Sequence, residues 1–438
     1  MAERLTSDQA QALIQNLEEN RRHHLGRLSL SQVVDFLGAV SEKWLDPQYA
    51  RRREAVPLIC QSSGFSASMV ERGLEVCFQA LRKESLQSLI NEEFKSPFIL
   101  EGFQSYGANN FALARGITPS LQILAGAVPS VAARAMYSAF LVRSACLIKP
   151  ASDEPHFASL LLQSMAEVDK NLASSMAVAT WPGGDESFEN ELFDAVDLVV
   201  VYGTDKTVEQ VRKRVKWPAL FMGYGQQVSL GLISREALKK GVALEELARK
   251  AAMDVAWYDQ QGCLSPHMIY VEEGGEVRPE EFADLLASAL QKLVKDLPPG
   301  NLSVESAAAV RHVREQYEFK KFGGAARVHA SPDLAGYTVI YEENSDFELS
   351  PLHRVIRVKP LPDLFQLRPL LIHWRRRLQA VAFQAGPDRR NALAALLADL
   401  GVKRLCAFGA MQDPPLLWHH DGRPNLADWV RWLDYERG

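Results

Sequence analysis

A chain of 438 residues, 47% hydrophobic and 24% charged, has an ordinary globular composition and is too long for one core, so two or three domains are expected. A net charge of −5 provides no basic field for a nucleic acid. No window has the uninterrupted apolar length that spans a bilayer, and residues 1–8 lack the apolar core of a secretion signal. The five cysteines have no paired spacing of a disulfide framework or a zinc ribbon, so reduced thiols in the cytoplasm are expected.

Residues 5–94 read almost wholly as helices, with amphipathic periodicity over 29–44 and 66–81. Val33, Val34, Phe36 and Leu37 therefore need a covering surface, either domain packing, the usual role of such a stripe, or an acyl chain. From residue 121 short apolar runs alternate with helices: strands are predicted at 121–124, 145–149, 176–180 and 198–202, and helices at 130–142, 155–173 and 207–214. That alternation means a parallel, doubly wound sheet, which takes ligands at the carboxyl ends of its strands. A second α/β series follows, with strands at 228–233, 268–272, 338–341, 355–358, 379–383 and 404–408 and helices at 245–258, 279–296 and 303–317. The chain closes on a predicted amphipathic helix over 426–433, with Trp429, Val430 and Leu433 on one face. The expected division is 1–229, a helical N-terminal region plus a dinucleotide-binding domain; 230–405, a catalytic domain; and 406–438, a tail packing on the body or on a partner subunit.

The stretch with most chemistry is Tyr258-Asp259-Gln260-Gln261-Gly262-Cys263-Leu264-Ser265-Pro266. Gly262 permits a tight turn and Pro266 stops a helix from crossing it, so the thiol of Cys263 is presented on a bend. A lone cysteine is more often buried and inert. Here the amidic, glycine-bounded approach offers backbone N–H groups, with Asp259 the only adjacent anion, and suits a thiolate and an oxyanion beside it. Cys60, Cys77, Cys146 and Cys406 lie in apolar runs and read as core.

Three weaker signals accompany it. Cys146-Leu147-Ile148-Lys149-Pro150 is a strand ending in a lysine at the binding edge, where Lys149 can reach a ribose or phosphate or simply be solvated. Val200-Val201-Tyr202-Gly203-Thr204-Asp205 is a strand, a glycine and a helix start, able to hold a pyrophosphate although no G-x-G-x-x-G occurs. His419-His420 has no companion with metal-ligand spacing, so no metal is expected, and no G-x-S-x-G elbow occurs to support a serine hydrolase.

Together with Ser350-Pro351-Leu352-His353-Arg354 and Trp418-His419-His420-Asp421-Gly422, these pieces resemble, in order from about residue 100 onward, the aldehyde dehydrogenase superfamily. Within it they are most similar to the LuxC-type acyl-thioester reductases, which make fatty aldehyde for bacterial luminescence. The resemblance implies an aldehyde dehydrogenase-like α/β fold with two doubly wound domains, a helical N-terminal region and a short C-terminal oligomerisation segment. It implies that Cys263 accepts the acyl group, that Lys149 grips the adenosine ribose, that Gly203 and Thr204 lie near the pyrophosphate, and that Glu348 holds the nicotinamide ribose. The implied reaction is reduction of a long-chain fatty acyl thioester, acyl-CoA or acyl-protein, to the aldehyde through a cysteine acyl-enzyme. A homo-oligomer and an acyl-activating or acyl-transferring partner enzyme are implied as well.

Two departures from the superfamily bear on the reaction. Residues 211–235 contain no Asp or Glu, so the general base with which aldehyde-oxidising members activate water is missing and the thioester persists to accept hydride. Ala127 stands in Gly126-Ala127-Val128-Pro129, where the superfamily often places an oxyanion-binding asparagine. The alternatives are an NAD(P)-dependent aldehyde dehydrogenase running oxidatively and a catalytically silent binding subunit. Relatives that prefer NAD commonly carry glutamate three residues after the strand-end lysine; Ser152 stands there, which favours NADPH over NADH because no carboxylate opposes a 2′-phosphate.

Overall fold

The computed structural model describes residues 7–107, 109–322 and 326–437. They form two compact units, one of 1–63, 70–225 and 415–438 and one of 64–69 and 226–414, so the chain passes between units four times.

The first unit begins with helices. The helix Leu30–Leu45 starts on a capping box in which Ser29 accepts from the Gln32 N–H while the Gln32 side chain accepts from Ser29. Its inward stripe of Val33, Val34, Leu37, Val40 and Trp44 is wholly buried. The cover is protein: Phe36 meets Phe140 at 5.4 Å, and Trp44 stacks on Phe78 at 5.1 Å and meets Phe157 edge-on at 5.2 Å. Domain packing therefore accounts for this stripe, each side chain contributing about 2 kcal/mol. On the next helix, Ala50–Ser63, Arg52 is buried and donates to the Trp44 carbonyl at 2.8 Å.

Behind these helices lies a five-stranded sheet in which Met176–Val178, Cys146–Lys149, Ser120–Ile123, Leu198–Tyr202 and Leu220–Tyr224 lie side by side, all parallel. The chain starts at the central strand, Ser120–Ile123, winds outward to one side and then to the other, which creates a topological switch point at its carboxyl end. Leu121, Val199 and Val201 pack one face against Leu192, Phe193 and the N-terminal Ile14 and Leu17. The predicted helix 155–173 is broken in two, Phe157–Val168 and Lys170–Ala173, because Asp169 turns extended and caps the second piece through the N–H groups of Asn171 and Leu172.

The tail corrects the sequence reading. Residues 426–433 are not a helix: a short 3-10 turn, Ala427–Trp429, leads into a strand, Val430–Glu436. That strand pairs antiparallel with Asn110–Gly116 through seven residues, from Val430 against Gly116 to Glu436 against Asn110. The helical spacing of Trp429, Val430 and Leu433 was accidental. An eight-residue helix is marginal without tertiary support, whereas the partner strand supplies a full ladder. Glu93 fixes the entry to the strand by accepting from the N–H groups of Asn425, Leu426 and Ala427 at 2.5, 2.7 and 2.9 Å.

The second unit is built on a seven-stranded sheet ordered Ala326–Ala330, Thr338–Glu342, Val355–Leu361, Pro266–Glu272, Val228–Ile233, Leu378–Gln384 and Arg404–Cys406, parallel except for the first strand. Its central strands pack Leu230, Leu232, Met268 and Tyr270 against Leu364, Leu367, Leu393 and Leu397.

Candidate active site

The cysteine bend lies in the second unit, between the helix Val242–Ala256 and the strand Pro266–Glu272. It is thus at the amino end of its strand, away from the carboxyl edge where such sheets ordinarily bind. Cys263 is exposed; Cys77 and Cys146 are buried, and Cys60 and Cys406 partly so. The turn itself is not made by glycine. Tyr258, Asp259 and Gln260 adopt left-handed backbone angles in succession, with φ of 52°, 47° and 64°, and Gly262 does not need positive φ. What requires glycine at 262 is close approach, since a Cβ there would lie 2.7 Å from the Gln412 Oε1.

Three consecutive non-glycine residues in that region cost about 1–3 kcal/mol each and persist only where the surroundings over-determine them. Here the surroundings are a second such run, Leu352, His353 and Arg354, with φ of 68°, 53° and 60°. The two are laced together: His353 N–H donates to the Asp259 carbonyl at 2.9 Å, and Arg354 Nε donates to Asp259 Oδ1 at 2.7 Å. Arg354, fully buried, also donates to the carbonyls of Leu297 and Pro298 at 3.0 and 3.3 Å, and Gly300 N–H donates to Asp259 Oδ2 at 2.9 Å. Burial pushes the Asp259 carboxyl up and the Arg354 guanidinium down, so each charge depends on the other being present. Asp259 is therefore not an anion facing the thiol; it is the internal clasp of the bend.

Gln260, fully buried, donates through Nε2 to the carbonyls of Pro266 and Val355 at 2.7 and 3.0 Å, and its Oε1 lies 3.3 Å from Ser350 Oγ as acceptor. Ser229 Oγ donates to the Cys263 carbonyl at 2.9 Å, tying the nucleophile's backbone to the adjacent strand. His267 follows the bend; burial first, and Arg357 nearby, push its imidazole down to about 4, and its Nδ1 accepts from Ser350 N–H at 3.2 Å. A neutral ring with Nδ1 engaged carries its proton on Nε2. Sequence reading missed His267, Ser229 and Gln412, whose relevance comes from contacts across 34 to 147 positions of chain.

Glu348 lies in the same unit on a loop gathered by Lys359. That buried ammonium donates to Asn344 Oδ1 at 2.6 Å, the Asp346 carbonyl at 2.8 Å and Glu348 Oε1 at 2.7 Å. The Glu348 side chain keeps 40% of its surface exposed, so it is oriented but accessible.

The remaining candidates lie in the first unit, at the carboxyl edge of its sheet. Lys149 ends its strand level with Ile123, and Ile123 is level with Val201, so the Lys149 and Gly203 turns are two strand spacings apart, about 10 Å. Lys149 Nζ sits 5.6 Å from the Trp181 ring centre, and burial lowers its pKa while Glu189 opposes that. Ser152 is exposed in the next turn, whereas Glu154 is buried and turned away, accepting from the N–H groups of His156 and Phe157 at 3.1 and 2.9 Å. Thr204 caps the helix Asp205–Arg214 by accepting from Thr207 N–H at 3.2 Å. Gly203 N–H donates to the Tyr224 carbonyl at 3.1 Å and so is spent within the sheet. The ring of His420 stacks on Tyr224 at 4.9 Å, and Tyr224 on Tyr202 at 4.7 Å.

Two parallel α/β units, one with a presented cysteine, define the fold of the aldehyde dehydrogenases. Solved structures agree: an NAD-dependent benzaldehyde dehydrogenase from Corynebacterium glutamicum is 14% identical with a TM-score of 0.72, covering 99% of this chain and 91% of that one. A putative aldehyde dehydrogenase from Anabaena variabilis is 16% identical with a TM-score of 0.71, covering 99% and 93%. The family model for acyl-CoA reductase (LuxC) matches residues 25–432, and the chain belongs to that family of acyl-thioester-reducing oxidoreductases. Among curated relatives, the long-chain acyl-protein thioester reductase of Aliivibrio fischeri is 26% identical over 424 residues, spanning 94% of this chain and 83% of the relative. That of Photorhabdus laumondii is 26% identical over 420 residues with the same coverage.

Proposed function

We propose that the protein reduces a long-chain fatty acyl thioester, offered as acyl-CoA or on a protein, to fatty aldehyde with NADPH through an acyl-enzyme on Cys263. The observation that carries this reading is an exposed thiol on a strained bend locked by a buried ion pair, in a member of the LuxC family.

In this reading the thiolate of Cys263 attacks the acyl carbonyl and expels the carrier thiol. The acyl-enzyme survives, in this reading, because the carboxylate with which aldehyde-oxidising members activate water is missing from residues 211–235, and because His267 keeps its proton on Nε2 with Nδ1 already accepting. The first unit fits a dinucleotide at its carboxyl edge, where an exposed serine, a partly buried lysine and a capped helix start border the switch point. NADPH, when bound, supplies the hydride. Lys149 and Ser152 would hold its adenosine end, Gly203 and Thr204 would open the helix near its pyrophosphate, and Glu348 would hold the nicotinamide ribose. The buried orientation of Glu154 supports NADPH over NADH, because it removes a carboxylate from the 2′ position. A homo-oligomer is part of the proposal, supported by the exposed Trp432, Leu433 and Tyr435 on the terminal edge strand. An acyl-activating or acyl-transferring enzyme as thioester donor is part of the proposal as well.

The test is to mix purified protein with a long-chain acyl-CoA and NADPH, follow the absorbance of reduced nicotinamide, and incubate separately with radiolabelled acyl-CoA. Wild type consumes NADPH and retains label; Cys263→Ala, folded by circular dichroism, does neither. Equal labelling of the alanine variant would remove Cys263 from the nucleophile role.

A further inference from the structure

The segment just after the last strand of the second unit is held by two buried charges of opposite sign. Asp254, 1% exposed, accepts from the N–H groups of Gly409 and Met411 at 2.6 and 3.0 Å. Arg404, 8% exposed, donates to the carbonyls of Met411 and Ala410, each at 2.7 Å. Burial pushes the Asp254 carboxyl up to about 7, while the N–H groups of Gly409 and Met411 and the charge of Arg404 favour its ionised form. Gly409, at a φ of 85°, gives the loop its sharp return.

What this rigid loop carries is Gln412. The O/N edge of its carboxamide abuts Gly262, the residue before Cys263: a Cβ built there would meet Oε1 at 2.7 Å, Nε2 at 2.9 Å and the amide carbon at 3.1 Å. Nε2 donates one hydrogen to the Oγ of buried Ser265 at 2.6 Å, and Ser265 N–H closes the turn on the Gly262 carbonyl at 2.9 Å. The amide thus touches the bend on both sides of the nucleophile. A primary amide has two N–H hydrogens, and the second has no acceptor among the described residues. Gln412 is only partly buried, and the thiol beside it is exposed. A neutral donor, held by a charged scaffold and with one hydrogen uncommitted next to a nucleophile, matches the requirement for stabilising charge that develops only during attack.

We propose that Gln412 Nε2 donates this second hydrogen to the acyl carbonyl oxygen as Cys263 adds to it, making Gln412 a catalytic residue; this rests on the reading of Cys263 as the acyl-accepting nucleophile. The thiolate pair forms the Sγ–C bond and the carbonyl π pair moves onto oxygen, which Gln412 meets. When the tetrahedral adduct collapses, that pair re-forms the carbonyl, the bond to the carrier sulfur breaks, and the carrier leaves as thiolate and takes a proton from solvent.

The test compares Gln412→Met, similar in length and without a donor, and Gln412→Ala with wild type in two reactions of Cys263. One is acyl transfer from p-nitrophenyl acetate and from acyl-CoA, read as burst release of p-nitrophenolate and of CoA. The other is alkylation by iodoacetamide, a displacement at saturated carbon that creates no oxyanion, followed as a pH profile. Both variants should acylate about 10²–10³-fold more slowly while their alkylation profile stays within about twofold of wild type. Unchanged acylation, or acylation and alkylation falling in step, would overturn the assignment, the latter because Gln412 would then merely hold the bend. A wild type that bursts with the ester but ignores acyl-CoA would refute the substrate reading alone and leave the Gln412 comparison intact. A wild type with no burst at Cys263 from either compound would overturn both.

Discussion

The chemistry of the cysteine bend was legible one residue at a time only where chemistry is local. Gly262, Cys263 and Pro266 announce a bend with a thiol, and the structure has one. The role of Asp259 was not legible, because its partner Arg354 is 95 positions away and nothing in the sequence pairs them. Removing Arg354 leaves a buried carboxylate and two strained turns without their clasp, so Arg354→Met should cost about 3–5 kcal/mol of stability, read from urea unfolding. A cost below about 1 kcal/mol would mean that the bend is held by its backbone contacts alone. At the other candidate site, Ser152→Glu should raise the Michaelis constant for NADPH far more than that for NADH, since a carboxylate beside a 2′-phosphate is repelled by several kcal/mol at an effective dielectric of about 20. If both cofactors respond alike, Ser152 does not read the 2′ position.

Elements with their own periodicity were legible from sequence, and those whose existence depends on a distant partner were not. The strand Leu198–Tyr202 falls where a continuous run of leucine and valines predicts it, and Val228–Ile233 falls where an apolar stretch broken only by Ser229 and Gly231 predicts one. The strand Asn110–Gly116, with two alanines and an asparagine, gives little β signal and owes its form to the tail 320 positions later that pairs with it. The same pairing turned a predicted helix into Val430–Glu436. Deleting residues 430–438 should therefore expose the Asn110–Gly116 edge and lower the mass seen by light scattering or unfold the chain; a folded truncation of unchanged mass would remove this strand from assembly. Gly116 supplies a finer probe, because a Cβ there would lie 1.9 Å from the Val142 carbonyl oxygen. Gly116→Ala should destabilise by about 1–3 kcal/mol through backbone displacement, measured by thermal unfolding. A neutral result would mean that the two segments separate freely.

At the scale of the whole molecule, the alternation of strands and helices made the two α/β series legible. The six-residue excursion 64–69 into the second unit was not, because no composition shift marks it. Nor does sequence disclose the charged knot that fastens the second unit around Glu272, at the carboxyl end of its central strand. This carboxylate, fully buried, accepts from Arg235 N–H at 2.9 Å, Leu364 N–H at 3.0 Å, Arg235 Nη2 at 3.1 Å and both terminal nitrogens of Arg389 at 2.7 Å. Arg389 continues to Glu236 and Asp363, each at 3.0 Å, so four separate segments meet at one group. Burial alone would raise the Glu272 carboxyl, but the hydrogen bonds from Arg389 and Arg235 outweigh it and hold it at about 2. A carboxyl held below its unfolded value of 4.5 binds fewer protons in the folded state. Its stabilisation is therefore complete above about pH 4.5 and is lost as pH falls toward 2, to the extent of about 3 kcal/mol. Glu272→Gln lacks this titration, so the gap in urea midpoint between wild type and variant should be widest near neutrality and close steadily through that acid window. A gap that stays constant from neutral to acid would show that the knot holds through hydrogen-bond geometry and not through the charge of Glu272.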